Sequence, residues 1–166
     1  MPACFEHLRV LDRQVKELDA EIKACHAEDI ASQRLAAIPG IGPLTATALV
    51  ASIGDAKTFQ NGRQLAAWLG LVPRQNSTGG KTTLLGISKR GDTYLRTRLI
   101  LGARSVLRKL KTHPERADGW LGQLAARRKA NIAAVALANK NARTVWALLA
   151  KDRHYQPDYQ SVGVMA

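Results

Sequence analysis

Leu8, Leu11, Val15, Leu18 and Ile22 step along the chain by three and four residues, with Asp12, Arg13, Lys16, Glu17, Asp19, Glu21 and Lys23 around them. This rhythm predicts an amphipathic helix from about residue 5 to 27 with one narrow apolar seam. Such a seam packs either on its own domain or on another chain in a short coiled coil. At about two heptads it is too short for a coiled coil that is stable alone.

Farther on, RLAAIPGIGPLTATALVASIGDAKTF predicts helix, hairpin, helix at about 34–54. An apolar turn ends at Ile38, Pro39 and Gly40 break the helix, Gly42 permits a tight reversal, Pro43 suits the first position of the next helix, and Gly54 stops it. Asp55 or Thr58 can cap the next element, and QLAAWLGL, Gln64 to Leu71, reads as a short helix begun near Asn61. Residues 72–91 read as mostly irregular, with Thr82 to Leu85 a possible short extended piece and no sheet of any size expected. Asp92 is a good N-cap for TYLRTRLILGARSVLRKLK, where Leu95, Leu99, Ala103, Val106 and Leu110 share one face and Arg104, Arg108 and Lys111 make a basic stripe on another. A helix around Trp120, Leu121 and Leu124 ends near Arg127, Arg128 and Lys129. A last helix from about Asn131 to Ala150 carries Ile132, Val135, Val145, Leu148 and Leu149, and the tail from Asp152 is polar and loose. The expected class is all-α: an N-terminal coiled-coil-like helix over 1–30, a helical domain over 31–153, and a flexible tail over 154–166.

Charge narrows the partner. Lys and Arg number 25 against 13 Asp and Glu in 166 residues, a formal net charge of +12, so a polyanion is expected and nucleic acid leads. An anionic membrane surface attracts the same charges, but no segment has the aromatic-rich apolar face of an interfacial helix, and no run reaches the ~18 apolar residues of a span. No signal core follows MPACFEHLRV, so the expectation is a cytoplasmic protein with no membrane partner. Cys4 and Cys25 form no zinc spacing with His7, His26, His113 and His154; both are read as reduced thiols, and no metal site is expected in the chain.

Two stretches carry candidate chemistry. Pro39, Gly40, Ile41 and Gly42 have the shape of a helix-hairpin-helix turn, whose backbone N–H groups suit a phosphate oxygen and hold DNA without reading its sequence; a plain tight turn has the same composition. In NSTGGKTTLLGISKRGD, residues 76–92, Gly79 and Gly80 let a ligand approach the backbone and Lys81 adds a point charge. GGKT is not a P-loop, because Gln75 stands where GxxxxGK[ST] needs its first glycine and no strand precedes it. A hydroxyl of Ser77 or Thr78 attacks a phosphodiester only if a base takes its proton or a metal lowers its pKa, and cations must stabilise the charge on phosphorus. Arg74, Lys81, Lys89 and Arg90 can supply that charge. No histidine or carboxylate lies near Ser77 in sequence, so base or metal must come from elsewhere.

IPGIGPLTATALVASIGD and LAAWLGLVPRQNSTGGKTTLLGISKRGDTYLRTRLILGAR together resemble the C-terminal domain of the bridge-RNA-guided insertion-sequence transposases, the IS one-ten family. The likeness runs from about Leu35 to Arg108, carried by GLVPR, SxGG, ISKRGD and YLR, and continues more weakly through ANKNARTVWALLAKDRHY. The resemblance implies a DNA recombinase: an N-terminal RuvC-like domain holds magnesium (Mg) on acidic residues, and the C-terminal domain supplies a serine nucleophile that links covalently to DNA. This chain lacks the RuvC-like part, so it resembles the C-terminal portion of such an enzyme, incomplete alone. The family's serine often stands directly before the first glycine, which is Thr78 here, whereas Ser77 is the less hindered primary hydroxyl; both are candidate nucleophiles. The resemblance also implies a guide RNA as partner; self-association is expected through the apolar seam of the N-terminal helix, and a place on the bacterial nucleoid goes with DNA as partner. Arg74, Lys81, Lys89, Arg90 and Arg96 are the candidate phosphate contacts, and Trp68 and Tyr94 either stack on bases or sit in the core. The alternatives are a non-catalytic helix-hairpin-helix module, a truncated transposase remnant, or a purely structural helical dimer.

Overall fold

The computed structural model describes residues 2–78, 81–113 and 119–157, and the backbone alone for residues 2, 3, 78, 81 and 82. Helix α1 (Pro2–Glu28) is followed after one residue by α2 (Ile30–Ala36), then α3 (Pro43–Ile53), a 3-10 turn (Ala56–Thr58) and α4 (Gly62–Trp68). Strands β1 (Pro73–Thr78) and β2 (Lys81–Ile87) precede α5 (Thr93–Thr112), α6 (Trp120–Arg127) and α7 (Ala130–Ala150). The chain is mostly helical, as the all-α expectation has it. The one departure is at 72–91, where an antiparallel hairpin stands instead of an irregular loop.

Helix boundaries follow side-chain chemistry. Asp29, Asp55, Asn61 and Asp92 each accept a backbone N–H at the start of α2, the 3-10 turn, α4 and α5. Such caps contribute about 1 kcal/mol apiece. Helix α3 has Gly42 at the N-cap position with no side-chain bond and Pro43 in its first turn, and Gly54 ends it at φ 58°.

The core gathers Leu35 and Ile38 around α2, Leu49 of α3, Leu65 and Leu69 around α4, and Leu95 and Leu99 of α5, all nearly inaccessible to water. Each such leucine contributes roughly 1.5–3 kcal/mol through burial. Helix α7 faces them with small residues, Ala133, Ala134, Ala138 and Ala142, plus Leu137, Val145 and Leu148. That alanine stripe lets α5 and α4 lie close along α7. Ile132, expected among the apolar positions of this helix, is exposed.

Helix α1 packs against α2 and α3; its described side chains before Ile22 are exposed apart from half-buried Val10, and near its C-terminal end His26 Nδ1 meets Ser32 Oγ at 2.7 Å. At the other terminus Asp152, Arg153 and Tyr155, expected in a loose tail, are held to the body. Arg34 bonds Asp152, Arg153 N donates to Leu148 O at 3.2 Å, and Tyr155 packs against the core.

Candidate nucleic-acid interface

The hairpin grows from a backbone crossing. Past α4 the chain turns at Gly70 (φ 70°), and Leu71 is buried while its N–H donates to Ala66 O at 2.9 Å. After β2 the chain returns to the same place: Ser88 N donates to Val72 O at 2.8 Å and Lys89 N to Gly70 O at 3.1 Å. A Cβ on Gly70 would sit 2.0 Å from Arg90 O, and one on Gly91 (φ 103°) 1.8 Å from Trp68 O. GLVPR and ISKRGD are thus two halves of one backbone junction, and Asp92 Oδ1 finishes it by accepting Leu95 N at 2.8 Å to start α5.

In the hairpin, Ser77 pairs with Thr82 and Thr78 with Lys81, and the register slips between Pro73 and Gln75. The slip gives β2 one residue more than β1 at Arg74, a bulge that bends the ribbon beside its root. Ser77 is exposed, and its Oγ accepts from Gln75 Nε2 at 2.8 Å. Gly79 and Gly80 lie outside the described residues, as do the side chains of Thr78 and Lys81.

Helix α7 fastens both glycine-containing motifs. Asn139 Nδ2 donates to Leu71 O at 3.1 Å at the hairpin root, and Asn141 Nδ2 donates to Pro39 O at 3.0 Å in the IPGIG turn. Two residues along a helix is a rotation of about 200°, so the two motifs sit on opposite sides of α7 and are not brought together. In that turn Gly40, at φ 90°, makes the reversal and packs its carbonyl on Gly102 of α5. Gly42, expected to do this, has ordinary extended backbone and open space around it. Pro39 and Gly42 are exposed, while Ile41 is buried and its N–H bonds Ile38 O at 3.0 Å.

Between the hairpin root and α7 lies a cleft of about 1210 Å³. Arg74 and Lys89 reach it from the hairpin side, Lys140 and Arg143 from α7, with the amides of Asn131 and Asn139 and the ring of Trp120. No carboxylate is among its lining residues. Lys140 Nζ stands 4.8 Å from the Trp120 ring centroid, and Arg104 Nη2 donates to Asn131 Oδ1 at 3.1 Å. Lys89 holds a left-handed backbone (φ 57°), unusual without glycine, in the junction.

Of the expected phosphate contacts, Arg74, Lys89 and Arg90 are exposed. Arg96 differs from them: it is 7% exposed, its Nη1 donates to Leu69 O at 3.2 Å and its Nη2 to Thr93 Oγ1 at 3.0 Å. It clasps α4 to α5, with little of its surface open to water. Trp68 is partly exposed with its ring 5.6 Å from Phe59, and Tyr94 is exposed beside Arg98. Asn139, Lys140, Asn141 and Arg143 were not singled out in sequence. Their signal was there, since asparagines are poor helix formers in an otherwise alanine-rich helix. Among the described residues no three His, Cys, Asp or Glu side chains gather as a metal site, and no helix is long and apolar enough to cross a membrane.

Residues 32–118 match the profile of the Transposase IS116/IS110/IS902 family. The chain is 53% identical over 152 residues to a probable family 20 transposase of Pseudomonas aeruginosa, covering 92% of this chain and 45% of that protein. It is 48% identical over 145 residues to the transposase for insertion sequence element IS1111A of Coxiella burnetii, covering 87% of this chain and 40% of the relative. A third relative, the transposase for IS1328 of Yersinia enterocolitica, is 44% identical over 86% of this chain and 43% of its own length. The chain therefore spans less than half the length of these relatives. With the glycine junction, the hairpin and the helical body all inside the matched region or its immediate continuation, the chain belongs to the IS116/IS110/IS902 transposase family.

Proposed function

We propose that this chain is the DNA-binding catalytic portion of a transposase that cuts and rejoins DNA strands through a hydroxyl on the hairpin, Ser77 or Thr78. The observation that carries the reading is the acid-free cationic cleft at the root of an exposed, hydroxyl-bearing hairpin. Arg74 and Lys89 join the two, because each belongs to the hairpin or its junction and also lines the cleft. Phosphates along a strand are held there by Arg74, Lys89, Lys140 and Arg143, which fix position without reading bases.

In this reading the hydroxyl oxygen attacks phosphorus, the strand's ester oxygen leaves, and a phosphoserine or phosphothreonine link holds one DNA end until reversal rejoins it. Gln75 donates to Ser77 Oγ, which leaves the hydroxyl hydrogen free to depart and keeps the oxygen oriented. The described carboxylates and histidines do not gather as a magnesium site. The metal implied by the resemblance, and the acceptor of the proton, belong in this reading to the RuvC-like part of the enzyme, and no step here runs through them. A guide RNA that selects the DNA site, self-association through α1, and work at the bacterial nucleoid complete the proposal.

The test uses a full-length enzyme carrying this chain. Either Ser77→Ala or Thr78→Ala removes the nucleophile, so one of them lowers strand cleavage by at least about 10³-fold and abolishes the residue-linked oligonucleotide seen by mass spectrometry. Undiminished cleavage in both variants overturns the catalytic assignment. A second reading, a binding module without chemistry, is favoured by one feature: the α3 N-terminus, uncapped by any side chain beside exposed Pro39 and Gly42. It predicts salt-sensitive DNA binding with no covalent adduct from any hydroxyl.

A further inference from the structure

Large apolar side chains stand exposed along the cationic cleft. Leu85 of β2, Trp120 of α6 and Ile132 of α7 are 46%, 43% and 51% exposed, and all of them line the cavity of about 1210 Å³ between the hairpin root and α7. Arg74, Lys89, Lys140 and Arg143 share that lining. Phosphates account for the cations and leave the carbon unexplained, because an anion loses hydration against an apolar wall and gains nothing from it.

The hairpin side of the cleft is cleared of bulk. Between the pairs Pro73–Ile87 and Gln75–Leu84 the bulge sets Leu85 and Gly86 against Arg74, and Gly86 lines the cleft. A Cβ on Gly86 would meet nothing within 4 Å. Glycine inside a strand marks a bulge or the close approach of a ligand, and this one has room for a ligand as well. On the α7 side Lys140 Nζ lies 4.8 Å from the Trp120 ring centroid, so a cation and an aromatic ring stand together in the cleft.

We propose that the cleft takes an unpaired segment of DNA strand, with a base turned inward against Trp120 and the neighbouring phosphates on the cations. The inference rests on the strand-cutting reading of the proposed function for the identity of the strand, and adds which form of DNA enters. An unpaired nucleotide carries both chemistries that the lining offers, a planar face for the ring and an anion for the lysines and arginines. In a duplex each base is stacked on its neighbours, so only a strand opened beside the hairpin can offer a face to Trp120. Size agrees, since the cavity exceeds the roughly 300–1,000 Å³ of sites for single small molecules. Amides are at hand for a base edge. Asn139 spends a single donor hydrogen on Leu71 O, and Asn131 accepts from Arg104 through Oδ1, which leaves its amide nitrogen to donate.

The test titrates the 166-residue chain with labelled oligothymidine DNA, with the same strand annealed to oligoadenosine DNA, and with oligouridine RNA of equal length, at several salt concentrations. Trp120→Ala should weaken binding of the single DNA strand about 10-fold or more, change duplex binding by less than about 2-fold, and leave both salt slopes as they were. Trp120→Phe keeps a stacking face and should bind within about 3-fold of the parent, while losing the quenching of tryptophan emission that the single strand causes. Gly86→Val suits a strand and fills the cleared wall, so it too should weaken the single strand selectively. Equal weakening of single strand and duplex by Trp120→Ala would mean that the ring only shapes the cleft. Single-strand binding untouched by Trp120→Ala or by Gly86→Val, or quenching that survives Trp120→Phe, would mean that no base enters. Each of these overturns the inference and leaves the strand-cutting reading standing. Oligouridine bound about 10-fold tighter than oligothymidine overturns DNA as the occupant. A parent chain that binds none of the three overturns the inference and the DNA-binding reading together.

Discussion

Gly40 and Gly102 meet through their backbones. A Cβ on Gly102 would lie 1.8 Å from Gly40 O, and Gly40 has φ 90°. Neither atom in that clash is a movable side-chain end. Gly102→Ala, although it gains about 1 kcal/mol in helix propensity, should therefore lower stability by a net ~2 kcal/mol through overpacking. Gly42→Ala, with open space and ordinary φ, should stay within about 0.5–1 kcal/mol of the parent, a lost N-cap preference offsetting a less flexible unfolded chain. Urea midpoints at unchanged slope compare the two, and equal losses would sink the assignment of the reversal to Gly40. The sequence placed the turn within IPGIG but chose the wrong glycine, because composition shows where a left-handed residue is allowed and only the packing of α5 shows where it is required. Arg96 has the same logic. As a residue type it equals Arg74, and what buries it is the end of α4 arriving from 27 residues away.

At the scale of elements, amphipathic helices were legible and the hairpin was not. Caps, prolines and apolar spacing placed α3, α5 and α7 to within a residue or two, since those signals are local. The hairpin also had a local signal, two runs rich in Ser and Thr flanking the Gly-Gly pair at 79–80. It was outweighed because neither run alternates apolar with polar residues, Leu84 and Leu85 being adjacent, and in the structure both leucines are exposed. A lone two-stranded ribbon is marginal in water, so this one depends on its root, where Val72 O, Gly70 O and Asn139 hold it to the body. Native-state hydrogen exchange should resolve that dependence. Amides of β1 and β2 paired beyond Arg74 should exchange roughly 10²-fold or more faster than those of Leu99 and Ala142, through local opening. Equal protection in hairpin and α5 would show a cover over the ribbon that the described residues lack. Asn139→Ala should speed hairpin exchange further while leaving α3 untouched.

Across the whole molecule, the positive charge is segregated. Helix α1 sets Glu6, Asp12, Glu17, Asp19, Glu21 and Glu28 against Arg9, Arg13, Lys16 and Lys23, a net −2, so the rest of the chain carries +14 toward the overall +12. A protein that neutralises phosphates releases their counterions, and each contact adds about 0.9 to the slope of log K against log salt on duplex DNA. Arg74, Lys140 and Arg143 changed together to alanine should flatten that slope by up to about 2.7 and weaken binding to all sequences alike. Arg9, Lys16 and Lys23 changed together carry the same loss of charge on the acidic arm and should leave the slope as it was. Far-ultraviolet circular dichroism confirms that each triple variant keeps its fold, which the exposure of all the residues changed makes the expected result. Titrations of one duplex at several salt concentrations then decide between local contacts and bulk attraction. Equal flattening by the two sets would mean that net charge alone draws DNA. A slope indifferent to the cleft but flattened by Arg104, Arg108 and Lys111 would move the phosphate track to the exposed stripe of α5.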